Sequence, residues 1–420
     1  MAKTEKVKKT VIKGEKNPDH LLIEESAAFD NKNGKNKTFF DKKKIFFLIL
    51  FFVLSIALLA LTIVFILDIN FVKLFESMKQ GFGEELGALW FILLLCYFFF
   101  IGFSIYAGVW PRLAKLGYKI PQWEYWLFGL TISFFRATTP VMFSDPYFIF
   151  WLKTKGVPTS RATSILFSNT LLWQIVQFGV TFPSFVMVLI SRDALLTNPA
   201  GMSAFILLCA GIIIDAFSIA FMILLNMSKN IHYFMSRCFN WVKQKLHMQY
   251  HTKEETKEKY KNKAVMKEQF IEYMKDWKTT LLILGILIVG ELILYFAVNW
   301  ALFFMSTYNA DGQVYNSTFN FWQAFNCANV TFTANRLNFI APNGEGSLQF
   351  LLSTFLVELG GFKITPVPGD VKEITTGIVN NAILVWRVFG AYLPALFGLG
   401  ALIGLTTIQA RRYKKHHKIV

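Results

Sequence analysis

Long apolar runs alternate with short polar ones along most of the chain. Six runs are long enough to cross a bilayer, which takes about 20 apolar residues. They fall at 45–67, 87–109, 163–190, 202–227, 280–304 and 382–407. Two further apolar regions, 124–152 and 321–358, are each interrupted near the middle by proline, glycine and charge. The first break is Arg136–Pro146, inside RATTPVMFSDPYFIF, and the second is Asn335–Phe350, NRLNFIAPNGEGSLQF. Unpaired backbone groups are not tolerated against lipid, so each break is expected to lie inside protein or beside a wet cavity. Pro140 and Pro146 keep the first helix open. A half-helix beginning after Asp145 is expected to aim its positive N-terminal dipole at that break.

Charge sets the orientation of these runs. Residues 1–44 hold 12 Lys/Arg against 7 Asp/Glu, 228–278 hold 12 against 6, and 409–420 hold 5 against none. All three are therefore expected in the cytoplasm, with both termini inside. The loop 68–86 has 2 lysines against 4 acids, and 305–320 carries only Asp311, so both are expected outside. Lys/Arg flank 124–152 on both sides (Arg112, Lys115 and Lys119 before; Lys153, Lys155 and Arg161 after). That region is then expected to enter and leave on the inner face, and 321–358 to do the same on the outer face.

The expected architecture is an all-α polytopic membrane protein of the cell membrane. It has about six full transmembrane helices plus two oppositely oriented re-entrant helical hairpins, in an inverted-repeat arrangement. Residues 1–44 read as a basic disordered cytoplasmic tail, and 45–227 as a first membrane half with its hairpin at 124–152. Residues 228–279 read as a basic cytoplasmic linker, 280–408 as a second half with its hairpin at 321–358, and 409–420 as a basic cytoplasmic tail. Broken elements at corresponding positions of two halves point to a transport site between them.

Composition agrees. The chain of 420 residues is 54% hydrophobic and only 17% charged, where soluble domains carry about 25% charge. The net charge of +16 does not indicate nucleic acid, because the lysines are cleared from the apolar runs and no basic stretch carries a nucleic-acid motif. The basic cytoplasmic segments suit anionic lipid instead. Four scattered cysteines imply no disulfide framework. His247 and His251 stand four apart in a polar segment with no third ligand nearby, so no metal is expected. No nucleotide or hydrolase signature occurs, so neither enzyme nor cofactor is expected. Run 45–67 is too long for the core of a cleavable signal.

Ionisable groups at membrane depth are costly and mark function or structural pairing. Arg136 and Asp145 flank the first break, and Arg336 and Glu345 flank the second at the same spacing. Either they form a charged cleft for a headgroup, or they are ion pairs pinning each hairpin. Asp215 and Glu291 lie deep in long spans, where a ligand role, a helix–helix contact and a pairing with an arginine are all open. Glu358 is expected at the outer interface. Arg387 lies about one turn into the last span; snorkelling to the outer surface is open to it but does not explain its place beside Trp386. Gly398, Gly400 and Gly404 are expected to allow close helix packing. The sequons at Asn316 and Asn329 carry little information without a source.

The stretch ATTPVMFSDPYFIFWLKTKGVPTSRAT resembles the signature of the lysylphosphatidylglycerol synthase transmembrane region, or flippase-like, family. That signature is a TP, a small-residue turn, a P, an aromatic-rich stretch ending in L-x-x-x-G, and a basic A-T segment. Pro342, Gly346 and Gln349 resemble the family's second motif, P-x-x-x-G-x-x-E, and Trp386–Arg387 its W-R pair in the last span. The chain departs from the pattern at Ser144 and Asp145, where paired glycines are usual, and at Gln349, where a glutamate is usual. The resemblance implies a membrane domain that moves an aminoacylated or glycosylated lipid between leaflets. The soluble synthase domain of some members is expected to be missing.

The expected function is thus a lipid translocase for a polar-headgroup lipid. Its candidate binding residues are Arg136, Thr139, Pro140, Asp145, Arg336, Pro342, Glu345, Gln349 and Arg387. A second copy and a separate lipid synthase are candidate partners. Three rivals stand beside it: a secondary transporter of a small soluble solute, a membrane-embedded enzyme acting on a headgroup, and an accessory subunit of a lipid-modifying system.

Overall fold

The computed structural model describes residues 87–138, 144–228, 267–307, 316–337, 346–359, 362–365 and 371–417, with isolated helical residues between 50 and 72 and between 234 and 244. All of them belong to one compact unit, Phe40–Val420. Expectations for 1–44, most of the run 45–67, most of the linker and both hairpin tips lie outside the described residues.

The elements are α1 (Gly87–Lys115), α2 (Gln122–Thr138), α3 (Ser144–Thr154), α4 (Thr159–Ile190), α5 (Arg192–Leu196), α6 (Pro199–Met227) and α7 (Trp277–Thr307). Then follow β1 (Asn316–Phe319), α8 (Phe321–Ala334), a 3-10 turn (Asn335–Leu337), α9 (Ser347–Glu358), β2 (Phe362–Thr365), α10 (Val371–Arg387), a π turn (Val388–Tyr392) and α11 (Leu393–His417). Among the described residues, four helices are long and apolar enough to cross a membrane: Thr159–Ile190, Pro199–Leu225, Trp277–Ala301 and Thr376–Leu405. These contain four of the six expected spans, the last one carried across the π turn. Of the other two, 87–109 is helical but runs on to Lys115, and 45–67 is described only at scattered helical positions. The first half-helix starts at Ser144, so Asp145 and Pro146 sit inside its first turn rather than before it.

Both broken regions fold back as antiparallel hairpins. In the first, Lys155 pairs with Glu124, Tyr125 packs edge-on against Trp151, Phe128 stacks on Trp151 at 4.4 Å, and Phe135 meets Tyr147 at 4.9 Å. Partners rise on α2 as they fall on α3, so the open ends Glu124 and Lys155 lie together. Each aromatic pair adds about 0.5–1.5 kcal/mol beyond its packing. In the second hairpin, Gln323 Nε2 donates to Leu359 O, Cys327 Sγ to Phe355 O at 3.3 Å, and Ser347 Oγ to Asn335 Oδ1. Each gain along α8 matches an equal fall along α9. The all-α class holds, with one local addition at the base of this hairpin. There β1 and β2 pair antiparallel from Asn316↔Thr365 to Phe319↔Phe362, extending the same register beyond the helices. A strand pair satisfies the backbone where the two legs leave their helices, so the fold needs no helix there.

Close backbone contacts hold α2 and α6. Gly129 of α2 lies against the Gly102 backbone of α1, and a Cβ on Gly398 of α11 would overlap the Leu130 carbonyl of α2. Gly400 and Gly404 have open space, so the expected packing role belongs to Gly398 alone. A Cβ on Gly211 of α6 would strike the carbonyl of Thr333 on α8. With lipid no less apolar than leucine, such backbone approach supplies the association that hydrophobicity cannot.

The last part of the linker, 267–275, is helical and docks on α4 and α1. Ser164 Oγ donates to Gln269 Oε1 at 3.3 Å, and Arg112 donates to Ser168 Oγ at 2.5 Å while its guanidinium lies 5.5 Å over the Tyr273 ring. Lys115 pairs with Asp276 at 2.5 Å, and hydrogen bonds from Lys115 and Thr279 hold the Asp276 carboxyl below its ordinary range.

The Glu124–Lys155 pair closes the first hairpin with Glu124 only 1% exposed. Removing one partner of a buried pair leaves the other charge desolvated, at a cost of about 3–5 kcal/mol. Lys155→Met is therefore expected to destabilise the protein by about 3 kcal/mol. Thermal unfolding in detergent measures this, and the double change with Glu124→Gln should recover most of the loss.

Candidate functional site

The described inner ends of the two hairpins carry charges that act on one residue in the middle of a long helix. Glu291 stands 14 residues into α7, about 21 Å from its start. Its side chain is 1% exposed, and its Oε1 accepts the indole N–H of Trp173 at 2.5 Å. Arg136, from the end of α2, and Arg336, from the turn after α8, both act on the Glu291 charge. Among the described residues neither arginine forms an ion pair with it. Tyr295, one turn along α7, is hydrogen-bonded to it.

The second tip is fully tied. Arg336 Nε donates to Asp215 Oδ1 at 2.7 Å and its Nη2 donates to Gln177, while the guanidinium lies 5.6 Å over Trp173. Thr333 Oγ1 donates to Asp215 Oδ2 at 3.0 Å. Asp215 on α6 is thereby occupied by two groups of the hairpin. The arginine-pairing alternative holds for Asp215, with Arg336 as its partner.

A polar face explains why α8 settles there. Asn326, Asn329, Thr333 and Arg336 recur at spacings of three and four, one face of a helix. They meet a matching stripe on α4 that includes Gln177 and Ser184. Asn329 Nδ2 donates to Ser184 Oγ at 3.0 Å, and Ser184 Oγ donates to Asn326 Oδ1 at 2.8 Å. Asn329 is fully buried, so its sequon offers no site for a glycan. Gly346 adopts φ 82°, a conformation that suits glycine. Its N–H donates to Gln349 Oε1 at 2.9 Å, so Gln349 caps the start of α9 from a buried position.

The first tip is different. Thr131 to Phe135 and Ala137 are buried, yet Arg136 among them is exposed. Asp145, in the first turn of α3, is exposed as well, and its charge acts on Arg136. The charge of Glu291 acts on Arg136 as well. Among the described residues Arg136 donates no hydrogen bond and forms no ion pair. A guanidinium at this depth with donors to spare suits an anionic group, which it can grip in bidentate fashion.

Of the expected site residues, Arg136, Asp145 and Arg336 come together around Glu291. Thr139, Pro140, Pro342 and Glu345 lie outside the described residues. Arg387 is buried one aromatic layer away. Its guanidinium lies 5.6 Å over Trp386, and Tyr97 and Tyr392 lie near its charge. Trp386 packs on Phe332, and Phe332 on Tyr295 beside Glu291. Gln177, Trp173, Thr333 and Tyr295 were not anticipated. The signal available for the first two was a polar stripe on an apolar helix, Trp173, Gln177, Thr181 and Ser184 at helical spacing.

With this geometry in place, the comparisons with known proteins can be read. The family described as lysylphosphatidylglycerol synthase TM region matches residues 46–316. "Uncharacterized protein MG306" of Mycoplasma genitalium is 25% identical over 362 residues, 86% of this chain and 88% of its own. The "Uncharacterized protein MG306 homolog" of Mycoplasma pneumoniae is 25% identical over 388 residues, 92% of this chain and 94% of its own. No solved structure matches.

Two outcomes test the tied tip. A double-mutant cycle between Asp215→Ala and Arg336→Ala, read by thermal unfolding, should give a coupling of at least about 1 kcal/mol. Gly211→Ala should lower the melting temperature by pushing Thr333 off α6, whereas Gly400→Ala, at an open position, should not.

Proposed function

We propose that this chain, which belongs to the lysylphosphatidylglycerol synthase transmembrane-region family, moves a polar-headgroup lipid from one leaflet of the cell membrane to the other. The observation that carries this reading is a buried carboxylate at mid-span on which an arginine from each broken region acts, Arg136 and Arg336. A phosphate-bearing headgroup needs a cationic partner once it leaves water, and a guanidinium at depth supplies one. The apolar tails stay in lipid while the headgroup passes the tips. The aminoacylated or glycosylated lipids that the resemblance implies remain the leading substrates.

The topology suits this work. Each hairpin has its two ends side by side, as an element entering and leaving on one face requires. Lys/Arg asymmetry places the first on the inner face and the second on the outer face, with both termini inside. The two halves then form an inverted repeat whose hairpins approach mid-membrane from opposite sides. The basic segments hold anionic lipid at the inner surface, and a lipid synthase is the partner that would supply the cargo. The proposed activity makes and breaks no covalent bond.

A transporter of a soluble anion would use the same charges, so the test carries both cargoes. The protein is reconstituted in liposomes with fluorescent phosphatidylglycerol, an aminoacylated phosphatidylglycerol and a glycolipid, and an impermeant quencher reports which label crosses. One lipid should cross faster than in empty liposomes, and Arg136→Ala should slow it at least about ten-fold, the loss of one charge-assisted contact. Crossing of an entrapped anionic dye with no lipid crossing would replace this reading with the soluble one.

A further inference from the structure

The charges at the tips do not balance once an anion arrives. Arg336 and Asp215 form a closed, neutral pair at 2.7 Å, with Thr333 and Gln177 completing it. Arg136 has the charges of Asp145 and Glu291 acting on it. Glu291 is different. It is 1% exposed, is hydrogen-bonded by Trp173 and Tyr295, and has Arg136 and Arg336 as the charges that act on it. The helices packed on α7 change nothing in this sum. Trp173 on α4 offers a neutral N–H, Tyr295 on α7 itself a neutral hydroxyl, and α1 meets α7 here through Phe100 at Gly290. Among the described residues, α10 brings no charge that acts on Glu291.

Resting on the headgroup reading above, we propose that Glu291 takes up one proton when an anionic headgroup occupies Arg136 and gives it up when the headgroup leaves, which couples lipid crossing to proton movement. An anion on Arg136 neutralises one of the two positive charges that compensate Glu291 and adds a negative charge close by. The remaining arginine is already held by Asp215. The added negative charge is offset if the carboxylate becomes a carboxylic acid. One O–H bond forms with a proton taken from water, and nothing is oxidised or reduced. Trp173 keeps its hydrogen bond to Oε1 in either form. Two bound species that each favour the other's binding are linked reciprocally. A proton gradient then drives the lipid, and a lipid gradient drives protons. A metal cation is a poorer occupant, because no group of three His, Cys, Asp or Glu among the described residues is placed to hold one.

Calorimetry tests this without any flux. Short-chain phosphatidylglycerol is titrated into the purified full-length protein in two buffers of different ionisation heat, over a range of pH. Wild type should take up close to one proton per lipid, and its affinity should fall by up to about ten-fold per pH unit on the high-pH side. Glu291→Gln should bind with no proton uptake and an affinity flat in pH, and Glu291→Asp should restore the slope. Binding by wild type with no buffer dependence overturns the coupling and leaves the headgroup reading standing. The same uptake in Glu291→Gln overturns the assignment to this residue. No binding of the lipid by folded wild type overturns the headgroup reading and the coupling with it.

Discussion

A carboxylate at the centre of a 31-residue apolar helix is the constraint around which the rest of this structure is arranged. Glu291 loses its water on folding, a cost of several kcal/mol even after relaxation. That cost is tolerable only where donors and positive charge are brought to it. The indole of Trp173 brings α4 alongside, and Arg336 brings the second hairpin to mid-depth. Arg336 is in turn held by Asp215, which sets the height of α6 against α8. Arg136 brings the end of α2. Four helices and two tips therefore take their relative heights from one acid, as polar contacts between apolar helices specify register where packing alone does not.

The two hairpins share a shape and differ in how they are held. The second has a strand pair at its base, a one-to-one register along its legs, a polar seam to α4 and an ion pair at its tip. The first is zipped by aromatic rings and closed by Glu124 and Lys155 at its open ends, while Arg136 and Asp145 stay exposed at its tip. The second hairpin is held by polar contacts along its whole described length, and the first chiefly by ring packing and one closing pair.

Much of this was legible in the sequence because it follows from patterns that physics makes local. Hydropathy length located the long helices, and Pro146 and Gly346 fall at the starts of α3 and α9. Arg136 and Arg336 stood out because charge is rare at depth. What the chain did not disclose was pairing. Arg336 meets Asp215 from another helix, 121 positions away, and no local rule reaches that far. Gln177 and Trp173 were hidden because amide and indole are unremarkable in an apolar run until a partner faces them. The strands β1 and β2 were missed because four residues with no alternation of their own pair only once the hairpin has brought them together.

The W-R pair of the last span shows how a motif can serve a site it does not touch. Arg387 is buried among Tyr97, Tyr392 and the face of Trp386, at the entrance to the π turn. That turn sets Gly390 against the Tyr97 ring, and Trp386 donates its indole N–H to the Tyr97 hydroxyl. A π turn inserted in a long helix shifts the side chains after it relative to those before it. Trp386 is thus held in one orientation while α11 continues to pack on α2. Its ring supports Phe332, Phe332 supports Tyr295, and Tyr295 lies beside Glu291. A change at Arg387 therefore reaches the site by releasing Trp386 and letting the leg of the second hairpin settle elsewhere. A change at Arg136 removes the contact itself. The first acts on the position of that leg and the second on the grip. Arg387 is thus linked to Glu291 through one layer of aromatic packing.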